Sequence, residues 1–348
     1  MRGSIRIGWF LLILLGMLVS IPSPAHAQFV PTTPPPVSGR PLTVDGILPA
    51  DVLGRAELLR DELELIRFEM GQPKEERTEI AVTGVSPREV IFQALTLYRK
   101  TNQLRFEVAG ELGFERQVTL PRDIQPLHVW RVVDAAYERV LVVRRKLGIT
   151  RRVEEKLRDP ATTPAAAFRA IVQANRELDL LIRQQISTND VFQQVTLATH
   201  YAARLLEEFP QATSMPASPG FERGQTPIAV YNRLLECYAR AETIMERSRI
   251  EVLKLEPAGA EAAEERPTEI DPSDVFDIAT LLVSELAYLH VQLQYTEPPT
   301  QAYDPGFKVP AHVYQRAGIL LRQLADLENL VEANPNWLTS RQPSAPER

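Results

Sequence analysis

Apolar residues recur along this chain in gaps of four and three. The clearest stretch is Val313, Ala317, Leu320, Leu324, Leu327 and Val331. The same ladder reads Val275, Ala279, Leu282, Leu286, Leu289 and Leu293, and again Val129, Val133, Ala136, Val140, Val143 and Leu147. Such spacing draws one narrow stripe along a helix, because ~3.6 residues complete each turn. No helix can bury its own stripe, so helices of this kind must pack on one another.

Each ladder opens with a similar word: usually Pro, two variable residues, usually Val, then a large apolar or aromatic residue. The eight closing residues are Leu53, Ile91, Trp130, Phe168, Phe192, Tyr231, Phe276 and Tyr314, spaced 38, 39, 38, 24, 39, 45 and 38 apart. The pattern predicts an all-α fold of eight principal helices of about 22 residues, in a repeat of about 38. Proline suits the first helical position, where its missing N–H has no partner to lose. Ser86, Thr163, Ser187, Thr226 and Asp271 stand where caps belong. Ser86 and Glu89 have capping-box spacing, and Val85 with Val90 has that of a hydrophobic staple. Asp51, Asp190 and Asp274 put negative charge in first turns, where Ala166 and His312 stand in two other units.

Most connections are about 15–17 residues, longer than a simple bundle uses. At ~3.3 Å per residue they can return along a whole helix, so successive helices could run parallel. They could instead hold short elements: Arg151–Arg158 as helix, Thr78–Val82 and Gln117–Leu120 as extended chain. Almost nothing separates the fourth and fifth units around Ile186 and Ser187, so the chain must turn straight back there. That junction divides two halves of four helices with matching spacings, as a duplication would leave. The extra length in the 45-residue interval is a polar insert, Ala258–Arg266, expected as an exposed loop. The expected organisation is a signal peptide over 1–27, a Pro-rich tether over 28–48, four-helix units over 49–186 and 187–338, and a disordered tail over 339–348. The helices could form two four-helix units or one continuous helical-repeat array.

Composition sharpens this reading. The chain has 348 residues, 28 of them Pro and one Cys, Cys237. Seven prolines open helices, so the excess over the usual ~5% is punctuation rather than disorder. One thiol excludes a disulfide scaffold and structural zinc sites built on cysteines. Arg2 and Arg6, the apolar run Ile7–Val19, and Ala25-His26-Ala27 read as a secretory signal cleaved after Ala27, with an N-terminal membrane anchor as the alternative. Cleavage lowers Lys+Arg from 39 to 37 and leaves Asp+Glu at 45, a net charge of about −8. That balance argues against nucleic acid as a partner, and no second span of membrane length follows. The expected compartment is the periplasm or the secreted fraction.

Catalytic signatures are missing: no nucleophile elbow, phosphate loop or dinucleotide fingerprint, and no paired-His metal spacing. His128 and His312 share one repeat position, which fits first-turn residues better than ligands. Cys237 falls on the apolar stripe and reads as a small buried hydrophobe. The aromatic closing residues read as core packing near helix starts. Three connections carry similar words, around Phe114, around Phe221 and Arg223, and around Phe307 and Lys308. These five residues are the candidate partner-facing positions, since long loops often hold function. The expectation is a non-enzymatic scaffold or protein-interaction protein with no cofactor or metal. The alternative is a helical bundle that binds or senses a small molecule near the aromatic residues.

Overall fold

A computed structural model describes residues 46–74, 82–111, 121, 123–156, 159, 161–182, 186–255, 270–295, 299 and 306–338. Among them are eight helices: α1 Pro49–Glu69, α2 Pro87–Ala109, α3 Pro126–Lys146, α4 Pro164–Leu181, α5 Thr188–Leu206, α6 Pro227–Arg247, α7 Pro272–Gln292 and α8 Pro310–Ala333. All but α5 begin at proline. The fold is all-α, with one two-residue strand pair, β1 Val82–Thr83 against β2 Lys254–Leu255. The signal, tether and tail (1–45 and 339–348), Phe114, Gln117–Leu120, residues 78–81 and the 258–266 insert lie outside the described residues. Residues 151–156, expected as helix, are irregular. They follow a left-handed Gly148 that ends α3, and most of their side chains are exposed, so no apolar face rewards a helix there.

The stripes are the core. In α7 and α8 all six ladder residues are buried, and in α3 all but the terminal Leu147. The helices close into two rings. α1 packs on α3 and α4, and α2 packs on the same two; α5 packs on α7 and α8, and so does α6. Consecutive helices α1 and α2, or α5 and α6, therefore sit across a diagonal.

All four helices of each ring point the same way. Arg55 meets Asp134 and, two turns on, Glu62 meets Arg144, so α1 and α3 advance together. Arg60 to Gln173, then Arg67 to Glu177, does the same for α1 and α4; Gln93 to Asn175, then Lys100 to Asp179, for α2 and α4. In the second ring, Arg233 reaches the Tyr314 carbonyl and Arg247 reaches Glu332, while Gln194 meets Thr280 and Tyr201 meets His290. The long connections make this possible. The α5–α6 connection runs back beside α8: Gln323 bonds the Ser214 carbonyl at 2.6 Å, Arg322 that of Ala217 at 3.0 Å, and Gln315 that of Pro219 at 2.8 Å. Gly318 leaves room for it, since a Cβ there would lie 2.9 Å from the Pro219 ring.

Parallel neighbours align their helix dipoles unfavourably. Two features offset this. Acidic caps stand at the starts, and Arg67, Arg144–Lys146, Arg204 and Arg247 stand in last turns. The bundles also pack antiparallel. Arg88 in the first turn of α2 contacts Glu285 and Tyr288 late in α7, while Asp277 early in α7 lies in the field of Lys100, further along α2. The chain does reverse after α4, but not as a packed hairpin, because α4 joins α1 and α2 while α5 joins α7 and α8.

Candidate functional site

The starts of α5–α8 converge at one end of the second bundle. Their first residues, Thr188, Pro227, Pro272 and Pro310, form an upper layer, and Val191, Val230, Val275 and Val313 a lower one. The two layers surround a cavity of about 20 Å³. That is room for about one water molecule. The repeated Val is thus the residue that faces the bundle axis. The residue after it turns into the groove between helices. Trp130 and Phe168 are buried there, but Phe192, Tyr231, Phe276 and Tyr314 are only half-buried, which corrects the expectation of uniform core packing. Cations cover several of these rings: Arg233 lies 3.3 Å from the Tyr314 centroid, and Lys308 and Arg316 lie 5.1 and 5.2 Å from that of Phe192.

Six of the eight helix starts share one capping device; α4 and α6, with Ala166 and Ala229 at that position, do not. The third helical residue accepts the N–H of the residue before the helix: Asp51 from Leu48 at 2.7 Å, Glu89 from Ser86 at 2.8 Å, Asp190 from Ser187 at 2.8 Å and Asp274 from Asp271 at 3.1 Å. His128 and His312 do the same work through Nδ1, accepting from Gln125 at 2.9 Å and Val309 at 3.2 Å. Their shared repeat position is therefore a cap. Burial and the Arg131 charge hold His128 below the usual imidazole range, which keeps Nδ1 free to accept.

Four of the five loop residues singled out by sequence, Phe221, Arg223, Phe307 and Lys308, come together at this same end, and Phe114 lies outside the described residues. Phe307 is 84% exposed, and Phe221 is exposed with its ring 4.9 Å from that of His312. Arg223 follows in the exposed approach to α6. Lys308 is partly buried, its N–H bonded to Asn189 Oδ1 at 2.8 Å. Ile228, in the first turn of α6, is also exposed.

Three further apolar side chains were missed by sequence reasoning. Phe68 is 70% exposed near the end of α1, Phe106 is exposed near the end of α2, and Leu147 just beyond α3. Because the bundles are antiparallel, the ends of α1–α3 lie at the same end of the molecule as the starts of α5–α8. Six of the eight exposed large apolar side chains described thus gather at one end. A signal for two of them was present: Phe68 and Phe106 each stand fifteen residues after the closing residue of their unit, off the stripe, where others carry Arg145, Glu207 or Glu246.

Other candidate chemistry resolves into structure. Cys237 is buried against the Ala317 carbonyl, and burial pushes its thiol well up, away from reactivity. Among the described residues no group of three or more His, Cys, Asp and Glu could hold a metal ion, and no helix is long and apolar enough to cross a membrane. Comparison with protein-family models, curated proteins and solved structures finds no match.

Proposed function

We propose that this chain is a secreted, non-enzymatic scaffold or protein-interaction protein, which holds a protein partner on the apolar end just described. The observation that carries the reading is the gathering of Phe68, Phe106, Leu147, Phe221, Ile228 and Phe307 at one end. Solvent-exposed apolar side chains are ordinary when scattered, and grouped ones mark contact surfaces. Aromatic residues supply much of the binding energy at such surfaces. The reading also rests on the signal-like first 27 residues, which would direct the mature chain to the periplasm or outside the cell. For a metabolite, the cavity at the helix starts offers too little room.

Site-specific photocrosslinking tests this in the secreted or periplasmic fraction. A crosslinker at Phe307 should capture one defined protein, and Phe68→Ser should abolish the capture. A crosslinker at Leu48, on the opposite end of the molecule, should capture nothing. Equal capture from both ends, or capture indifferent to Phe68→Ser, would refute the assignment.

A further inference from the structure

The two bundles meet along α2 and α7, and the end of that contact at the start of α2 is charged. Glu89 on α2 and Glu285 on α7 are fully buried, and Arg88 nearly so. Arg88 Nη2 lies 3.2 Å from Glu285 Oε2, and Arg88 Nε lies 2.7 Å from Glu89 Oε1 without hydrogen-bond alignment. Nη2 also donates to the Glu251 carbonyl. Glu89 Oε2 accepts from the Ser86 N–H and hydroxyl. Neither oxygen of Glu285, nor Glu89 Oε1, receives an aligned donor.

The surrounding groups do not correct the balance. From α6, Tyr238 gives its hydroxyl to the Leu253 carbonyl at 2.8 Å, and Glu242 adds negative charge. From α7, the Tyr288 ring lies under Arg88, 4.6 Å away. From β2, Lys254 is exposed and held by Glu246 at 2.7 Å. Two buried carboxylates with one guanidinium leave one surplus negative charge. A buried, uncompensated charge is strongly unfavourable, and such pairs keep a proton instead.

We propose that Glu89 and Glu285 hold a single shared proton in the joint between the bundles, and that losing it opens the joint. Closed, the acid and carboxylate form one hydrogen-bonded pair beside Arg88. Opened, both carboxyls are hydrated, and the proton passes to water. Burial and the Glu89 charge raise Glu285 well above the usual carboxylate range, in agreement with this pairing. The sign follows from linkage. The closed form binds one more proton, so it is favoured at low pH and weakened as pH rises through the raised value.

The architecture lets the joint open without unfolding. Each bundle has its own ring of helices around its own apolar stripes, and the chain crosses from one to the other between α4 and α5. Beyond α2 and α7, the strand pair β1–β2 also bridges the bundles, where Gly84 lies against the Val252 carbonyl. A second charged group lies in the joint, Lys100, Asp179, Arg176, Asp277 and Asp274; in it burial raises Asp277 to about 6, so its response has to be separated in the test.

The test uses the mature chain labelled for energy transfer at Arg131→Cys on α3 and Glu236→Cys on α6, both exposed positions, with Cys237 buried. The open-to-closed ratio should rise about tenfold per pH unit above the ordinary carboxylate range, one proton per opening, with helicity constant. Glu285→Gln, shaped like the protonated acid, should flatten the response, and Asp277→Asn should leave it in place. The wild-type chain at neutral pH should also show the infrared carbonyl band of a protonated carboxylic acid, a readout that survives if a variant fails to fold. Transfer independent of pH, a Glu285→Gln variant that opens as the wild type does, helicity falling in step with transfer, or no such band would each overturn the proposal.

Discussion

Replacing Lys100 by Met removes the ammonium from the second charged group while keeping the length of the side chain. Lys100 Nζ lies 2.8 Å from Asp179 Oδ1 and 3.2 Å from the Asn175 carbonyl, with both charged residues buried. The nearest guanidinium described for Asp277, that of Arg176, is 4.0 Å away. The variant thus leaves buried carboxylates short of a cation, a change that costs about 3–5 kcal/mol in comparable settings. The loss should depend on pH. Burial pushes Asp277 up to about 6, and the Lys100 charge is the first influence holding it down. Without Lys100, Asp277 takes up a proton more readily, so acid relieves the defect. Urea denaturation at pH 7 should show the full loss, and the loss should shrink at pH 5. A double-mutant cycle with Asp179→Asn should show strong coupling. A loss below about 1 kcal/mol at pH 7, or an equal loss at both pH values, would refute this account of the joint.

Further outcomes follow from the same geometry. Asp277, raised to about 6, gives stability that is complete below the unfolded value and lost as pH rises through 6; His290, buried and lowered to about 4, gives stability present above 6.5 and lost as pH falls through 4. The two shifts oppose each other, so Asp277→Asn should make urea stability between pH 4 and 6.5 rise more steeply with pH than in the wild-type chain. Gly84 combines a φ of 67° with a Cβ position 2.8 Å from the Val252 carbonyl oxygen. Gly84→Ala should therefore cost about 1–3 kcal/mol in thermal unfolding, and a neutral result would contradict the close approach of the two connections. His128→Asp should keep the cap and add favourable charge at the α3 start, raising stability by about 0.5–1 kcal/mol, whereas His128→Ala should lower it by about 1 kcal/mol.

Much of the helical framework was legible because its signals are local. Stripe, proline and cap lie within one helix, and the structure begins its helices where those signals stand. The direction of the helices was open, since a long connection permits a return without requiring one. It is decided by contacts distant in sequence, such as Gln323 with Ser214, and by the absence of a side chain at Gly318. The joint was invisible for the same reason. Glu285 sits among apolar residues of α7 with nothing nearby in sequence to name Glu89 or Arg88 as its neighbours. At the candidate site, Phe221 and Phe307 were visible as repeated loop words. Phe68, Phe106 and Leu147 join them only through the antiparallel packing of the bundles, which no local pattern encodes.

The claim beneath the site is that successive helices within each bundle run parallel, bringing their starts to one end. Spin labels at Ser187→Cys and Thr226→Cys, the exposed residues just before α5 and α6, measure this directly. Both helices begin around the same small cavity, so the pulsed dipolar distance should fall near or below 20 Å, about two helix diameters. Antiparallel helices would separate the labels by a helix length, about 30 Å or more, and that distance would contradict the architecture and the site built on it.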